Sequence, residues 1–133
     1  MGYTYAVLGG GRQGTAAAYD MARWGDAERV LVADIEPQAA ATSATRVNDL
    51  IGRSIAEPVQ LDVTDHAALV EFLGPVDSFL SAVPYWNNPA ITEAAIEARA
   101  CMTDLGGKTD LVLEQLKRTD EAKAAGIAII PDC

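Results

Sequence analysis

Short apolar runs alternate with longer amphipathic stretches from one end of the chain to the other. Tyr3 to Leu8 (YTYAVL) reads as a strand, followed by glycines and a helical stretch from about Gln13 to Trp24. Arg29 to Asp34 (RVLVAD) is a second strand, and alanine-rich Pro37 to Leu50 a helix opened by proline in its first turn. Val59 to Val63 is a third strand, with Thr64 or Asp65 capping a short helix to about Leu73. Asp77 to Val83 is a fourth. Asn88-Pro89 then offers an N-cap and a first-turn proline for a helix to about Ala100. Cys101 to Leu105 is a fifth strand ended by Gly106-Gly107. Asp110 to Ala125 is one helix closed by Gly126, and Ile127 to Ile130 a sixth strand closed by Pro131.

Six strands separated by single helices imply right-handed crossovers and a parallel sheet covered on both faces. The fold predicted is α/β, a doubly wound six-stranded parallel sheet with order 3-2-1-4-5-6. In such a sheet, ligands bind beyond the carboxyl ends of the strands, where the strand order reverses.

The residues at those ends fit this expectation. Gly9, Gly11 and Gly14 form G-x-G-x-x-G between the first strand and the first helix. Gly9 permits the tight turn, Gly11 lets backbone approach a pyrophosphate, and Gly14 brings helix close to strand. With Arg12 and Gln13 they open a helix whose free N–H groups and dipole attract a diphosphate. Asp34 follows Gly14 by 20 residues and closes the second strand. A carboxylate there accepts hydrogen bonds from the adenosine ribose and repels a 2′-phosphate; neither Ile35 nor Glu36 offers a compensating cation. NAD is therefore the expected cofactor, with NADP open because Arg12 can reach the same region. Asp62 and Val63 end the third strand near the adenine, with helix capping an equal reading for the acid. Ala82, Val83 and Pro84 end the fourth strand and are expected to line the nicotinamide half.

Candidates for chemistry are sparser. Tyr85, Trp86 and Asn88 follow the fourth strand, and either shape a pocket or seat a second domain. Asp104 and Lys108 leave the fifth strand around two glycines. A lysine beside a redox carbon could act as acid or base if burial lowered its pKa, although such lysines are more often solvated. His66 reads as a surface residue and Cys101 as a buried strand residue. With Cys133 at the chain end, no metal-ligand spacing is present.

Composition narrows the setting. A chain of 133 residues, half of them apolar, has room for one domain with a real core. Its net charge of −9 makes nucleic acid and anionic membranes poor partners. No apolar run approaches the length of a membrane span, no export signal is evident, and two cysteines fit a reducing compartment. The expectation is a cytoplasmic globular domain.

AVLGGGRQGTAAAYDMARW, VLVADIE, SAVPYWNNPAITEAAIEARACMTDLGG and AAGIAIIPDC together resemble the cofactor domain of the saccharopine dehydrogenase-like family, in particular its lysine 6-dehydrogenases. The likeness spans essentially the whole chain, and DLGG and the closing GIAIIPDC are its more specific parts. It implies a dinucleotide held by Gly9 to Gly14 and by Asp34, and NAD-dependent oxidative deamination of a small amino acid. Related alternatives are saccharopine reductases and polyamine synthases. A stand-alone NAD-sensing module is a reading of a different class. The resemblance also implies that residues 1–133 are the dinucleotide-binding domain alone, without the family's substrate and dimerisation domain. Catalysis by this polypeptide by itself is then not expected. The face left for that domain favours weak self-association, and a homo-oligomer stays open.

Overall fold

The structure, a computed structural model, describes residues 2–133. Six parallel strands form one sheet: β1 (Tyr3–Leu8), β2 (Ala27–Asp34), β3 (Ala56–Gln60), β4 (Ser78–Ser81), β5 (Cys101–Asp104) and β6 (Ile129–Ile130). Their order is β3-β2-β1-β4-β5-β6, as the alternation of strands and helices predicts. The connecting helices are α1 (Arg12–Trp24), α2 (Pro37–Ile51), α3 (His66–Leu73), α4 (Asn88–Ala98), α5 (Thr109–Leu116) and α6 (Thr119–Ala125).

Successive strand residues face opposite sides of the sheet, so β1 and β2 feed two cores at once. Val7, Val30 and Val32 pack with Ala18 and Ala22 of α1 and with Ala44 and Val47 of α2. Ala6, Leu8, Leu31 and Ala33 pack on the other side with Leu69 and Leu73 of α3 and Ile91, Ala94 and Ala95 of α4. Alanines on the facing helix stripes let α1, α2 and α4 sit close to the sheet. β6 is thinly covered: Ile129 joins the α4 core, whereas Ile130, pointing the opposite way, is 56% exposed.

Several boundaries move, each for a local reason. β3 starts and ends three residues earlier than its apolar run indicates, despite Pro58. Ile55 accepts from Val30 and Leu61 donates to Asp34, so odd-numbered residues bond to β2 and even-numbered ones face the open edge. The missing N–H of Pro58 therefore costs no ladder bond. Asp62 and Val63 consequently lie in the loop after β3 and do not end it. β4 stops at Ser81, so Ala82, Val83 and Pro84 form an exit loop leading into a single 3-10 turn at Tyr85–Asn87.

The single helix expected over Asp110 to Ala125 is two. Arg118 N–H bonds to Gln115 three residues back, and the Thr119 hydroxyl donates to the Leu116 carbonyl at 2.6 Å, which closes α5. Asp120 and Glu121 then open α6 with the charge its first turn favours. Asp65 caps α3 as expected, accepting from Ala68 N–H at 3.1 Å. Asn88 does not cap α4: Asn87 holds that position, and the Asn88 side chain is buried. Cys101 is half-buried and accepts from Ala128 N–H, so it is not the fully buried strand residue expected.

Candidate functional site

The three glycines of the G-x-G-x-x-G pattern differ in what the fold asks of them. Gly9 has a φ of 106°, a conformation that L side chains avoid, and its N–H donates to the Ala33 carbonyl at 2.7 Å. A Cβ on Gly14 would run into the Gly9 carbonyl oxygen, so α1 crosses the turn at backbone contact. A Cβ on Gly11 would meet nothing within 4 Å. The interior of the protein thus makes no steric demand on Gly11, and its bare backbone faces the space where a ligand would approach. Gly11 caps α1 with no side-chain hydrogen bond, and the first turn carries no acid. Open N–H groups, the helix dipole and the exposed Arg12 and Gln13 give this end of α1 a local field that favours an anion within a chain of net charge −9.

Asp34 sits beside that turn with both carboxylate oxygens engaged. Oδ2 accepts from Gly10 N–H at 2.7 Å and Oδ1 from Glu36 N–H at 2.9 Å. These bonds fix the carboxylate while leaving lone pairs for further donors such as vicinal hydroxyls. Ile35, next in line, is 58% exposed. Asp62 N-terminal to α3 accepts from the Thr64 hydroxyl at 2.6 Å and the Thr64 N–H at 2.9 Å. The hydroxyl first, and then the N–H, hold its pKa below the ordinary carboxylate range.

A crevice of about 330 Å³ joins these groups at the carboxyl ends of β1, β2 and β4. Gly9, Gly11 and residues 33–35 line one end, residues 61–64 the side, and Ala82, Val83, Pro84 and Asn87 the other end. Of the residues expected to hold a dinucleotide, Gly9, Gly11, Asp34, Ile35, Asp62, Val63, Ala82, Val83 and Pro84 line this one crevice, with Arg12, Gln13 and Gly14 in the adjoining turn. Leu61, Thr64 and Asn87 are additional lining residues. Thr64 has a sequence signal, a hydroxyl two residues after an acid (an Asx-type turn), whereas Asn87 depends on the 3-10 turn and has none.

The three chemistry candidates divide. The Tyr85 ring lies against Gly107, where a Cβ would stand 2.7 Å from it, and packs edge-on to Trp86 with ring centroids 5.3 Å apart. The loops after β4 and β5 therefore meet through a ring on bare backbone. Lys108 is exposed at the start of α5, which removes the burial its acid–base role would require. Asp104 is fully buried and accepts from Gly106 N–H, Asp132 N–H and Gln115 Nε2, so it is a buried anchor and does not face substrate. Asp132, which the sequence reading passed over, lays its carboxylate across Gly106 at this same end. His66 pairs with Glu97 on the surface at 2.7 Å. Among the described residues no cluster of His, Cys, Asp and Glu could hold a metal ion, and no helix is long and apolar enough to cross a membrane.

Comparison with known proteins gives the family and the fold. Residues 5–130 match the profile of the saccharopine dehydrogenase NADP binding domain. Among solved structures, the chain is similar to L-Glu-forming saccharopine dehydrogenase from Saccharomyces cerevisiae, with a TM-score of 0.79 and 24% identity over 98% of this chain and 27% of that one. It is similar to quinate dehydrogenase from Corynebacterium glutamicum in complex with NAD, with a TM-score of 0.66 and 21% identity over 96% of this chain and 43% of that one. It also resembles WlbA dehydrogenase from Bordetella pertussis in complex with NADH and UDP-GlcNAcA, with a TM-score of 0.66 and 18% identity over 97% of this chain and 35% of that one. At these identities the likeness establishes the shared fold, and the chain spans less than half of each of these structures.

Proposed function

This chain belongs to the saccharopine dehydrogenase NADP-binding domain family, and on that premise we propose that it is the cofactor-holding part of an NAD-dependent oxidoreductase acting on a carbon that bears an amine. NAD(P) binding and oxidoreductase membership come with the family; the preference for NAD and the amine substrate are the proposal. The observation that carries it is the pairing of Gly11, whose bareness nothing inside the protein requires, with Asp34, fixed beside it at the end of β2.

The residues present fit the dinucleotide. Backbone N–H groups from Gly11 to Gly14 would hold the diphosphate, Asp34 the adenosine ribose, and Ile35 and Val63 would flank the adenine. Ala82, Val83 and Pro84 would border the nicotinamide. When bound, the nicotinamide supplies the hydride acceptor, and the chain's own part is to orient the ring and keep water from it. Asp34 would meet the ribose and disfavour a 2′-phosphate, and the firmly ionised Asp62 adds negative charge to the same crevice. Beyond β5, the Asp132 carboxylate over Gly106 would suit an ammonium-bearing substrate, consistent with oxidative deamination of the lysine 6-dehydrogenase kind. Hydrolysis of the resulting imine would complete that reaction in the whole protein.

Calorimetric titration with NAD and NADP, for the native chain and for Asp34→Ala, tests the cofactor assignment. Native protein is expected to bind NAD more tightly than NADP. Loss of the charge-assisted contact to the ribose, worth about 1.5–3 kcal/mol in all, should weaken NAD binding roughly 10- to 100-fold and abolish the preference. An unchanged NAD affinity in Asp34→Ala would remove Asp34 from the site.

A further inference from the structure

The polar groups buried beneath β4 and β5 form one continuous chain of hydrogen bonds. Ser81 Oγ, on the last residue of β4, donates to Asn88 Oδ1 at 2.9 Å. Thr92 Oγ1 donates to the Asn88 carbonyl at 2.9 Å, and Gln115 Nε2 donates both to Thr92 Oγ1 at 3.0 Å and to Asp104 Oδ2 at 2.8 Å. Asp104 Oδ1 accepts from the N–H of Gly106 at 2.8 Å and of Asp132 at 2.9 Å, and its carbonyl accepts from Cys133 N–H at 2.8 Å. All five side chains are at most 4% exposed.

Burying a carboxylate is costly, and an apolar side chain of similar volume could fill the same space at no such cost. What the carboxylate adds is geometry. Its one oxygen gathers Gly106 and Asp132, while the other leads through Gln115, Thr92 and Asn88 to Ser81. Ser81 immediately precedes Ala82, Val83 and Pro84 of the crevice wall. Gly106 precedes Gly107, on which the Tyr85 ring rests. Both ends of the network therefore terminate on the loops at the same end of the crevice.

We propose that Asp104 is a positioning residue that fixes, through this network, the two loops flanking the nicotinamide end of the bound dinucleotide. The proposal rests on the dinucleotide reading above. The polarity of the network decides what a substitution does. Asp104 accepts every side-chain bond it makes, so Asp104→Asn must present an NH₂ either to Gln115 Nε2 or to two backbone N–H groups. If Gln115 turns its amide to compensate, Thr92 loses a donor and the change travels toward Ser81.

ADP-ribose contains the adenosine diphosphate and second ribose of NAD but lacks the nicotinamide, so the ratio of the two affinities isolates the nicotinamide end. Both ligands are titrated calorimetrically into the native chain, Asp104→Asn and Gly107→Ala, with thermal unfolding measured alongside. Native protein should bind NAD more tightly than ADP-ribose. Asp104→Asn should shrink that ratio by about fivefold or more while leaving ADP-ribose affinity within about twofold, which general loosening of the fold would not do. Gly107→Ala touches no side chain of the network but pushes the Tyr85 ring, and should shrink the ratio in the same way. If Asp104→Asn does not fold, Thr92→Val, which cuts the same network between Gln115 and Asn88, is titrated in its place and its ratio decides. An unchanged ratio in the folded variants, an equal loss for both ligands, or equal native affinity for NAD and ADP-ribose overturns the proposal. Failure of the native chain to bind either ligand contradicts the dinucleotide reading itself, and the positioning role falls with it.

Discussion

Residues 3–60 and residues 78–132 repeat one strand–helix plan and both bury apolar side chains, yet the second adds a buried polar network to its packing. In the first region β1, β2 and β3 run to 6, 8 and 5 residues and are clamped by alanine-striped helices. In the second, β4, β5 and β6 have 4, 4 and 2 residues, and a buried polar network supplies part of what apolar packing does on the other side. Dispersion and burial tolerate small adjustments, whereas a satisfied network of directional bonds fixes particular atoms. On the proposed dinucleotide reading, the first region would present backbone to a generic group, a diphosphate and a ribose, and the second would place the individual loops that a reacting end needs.

The largest effect expected from disturbing this contrast is at Asp104. Asp104→Ala leaves buried Gln115 Nε2 with one acceptor instead of two and takes the acceptor from the half-buried N–H groups of Gly106 and Asp132. It should lower unfolding free energy by about 3–5 kcal/mol in urea titration. Next in size, Gly14→Ala drives a Cβ into the Gly9 carbonyl and should cost about 3 kcal/mol or more by the same measurement. Gly11→Ala, three residues away, should cost at most about 1 kcal/mol, since its Cβ enters open space, yet weaken NAD binding about tenfold or more. Two glycines of one motif would then separate into a folding residue and a binding residue. If both variants lost stability equally, that separation would fail.

The first region was legible because its determinants are local. Glycines at positions 1, 3 and 6 of a six-residue turn, and an acid at the end of the next strand, carry their meaning in spacing alone. Strand order followed from the alternation of elements, and the placement of Asp34, Ala82 and Val83 followed from strand order. The second region was opaque for the opposite reason. Asp104, Gln115, Thr92 and Ser81 meet only once β4, β5, α4 and α5 have packed, so no local spacing announces them. Gln115 within the apolar run LVLEQL was the one available hint, a polar group on the buried side of a helix. The break between α5 and α6 was missed because Thr119 has no sequence mark as a helix stop until its hydroxyl takes the Leu116 carbonyl.

The smallest effect concerns pH. Asp62 has its pKa depressed by the Thr64 hydroxyl and N–H, so its contribution to stability is present above the unfolded carboxylate value and is lost as pH falls through the lower folded value. Thr64→Val removes the hydroxyl bond, so the Asp62 pKa should rise toward its ordinary value. Carboxyl-carbon NMR titration reads this directly, and an unmoved pKa would show that the N–H alone sets it.

The central claim is that the Gly9–Gly14 turn, Asp34 and the Ala82–Pro84 loop form one dinucleotide site. Backbone amide NMR during titration with NAD tests it most directly. The account predicts saturable shifts at Gly9 to Gly14, at Asp34 and Ile35, and at Ala82 and Val83, with the exposed outer faces of α2 and α6 unmoved. Shifts confined to those outer faces, or no saturable shift in the turn after β1, would contradict it.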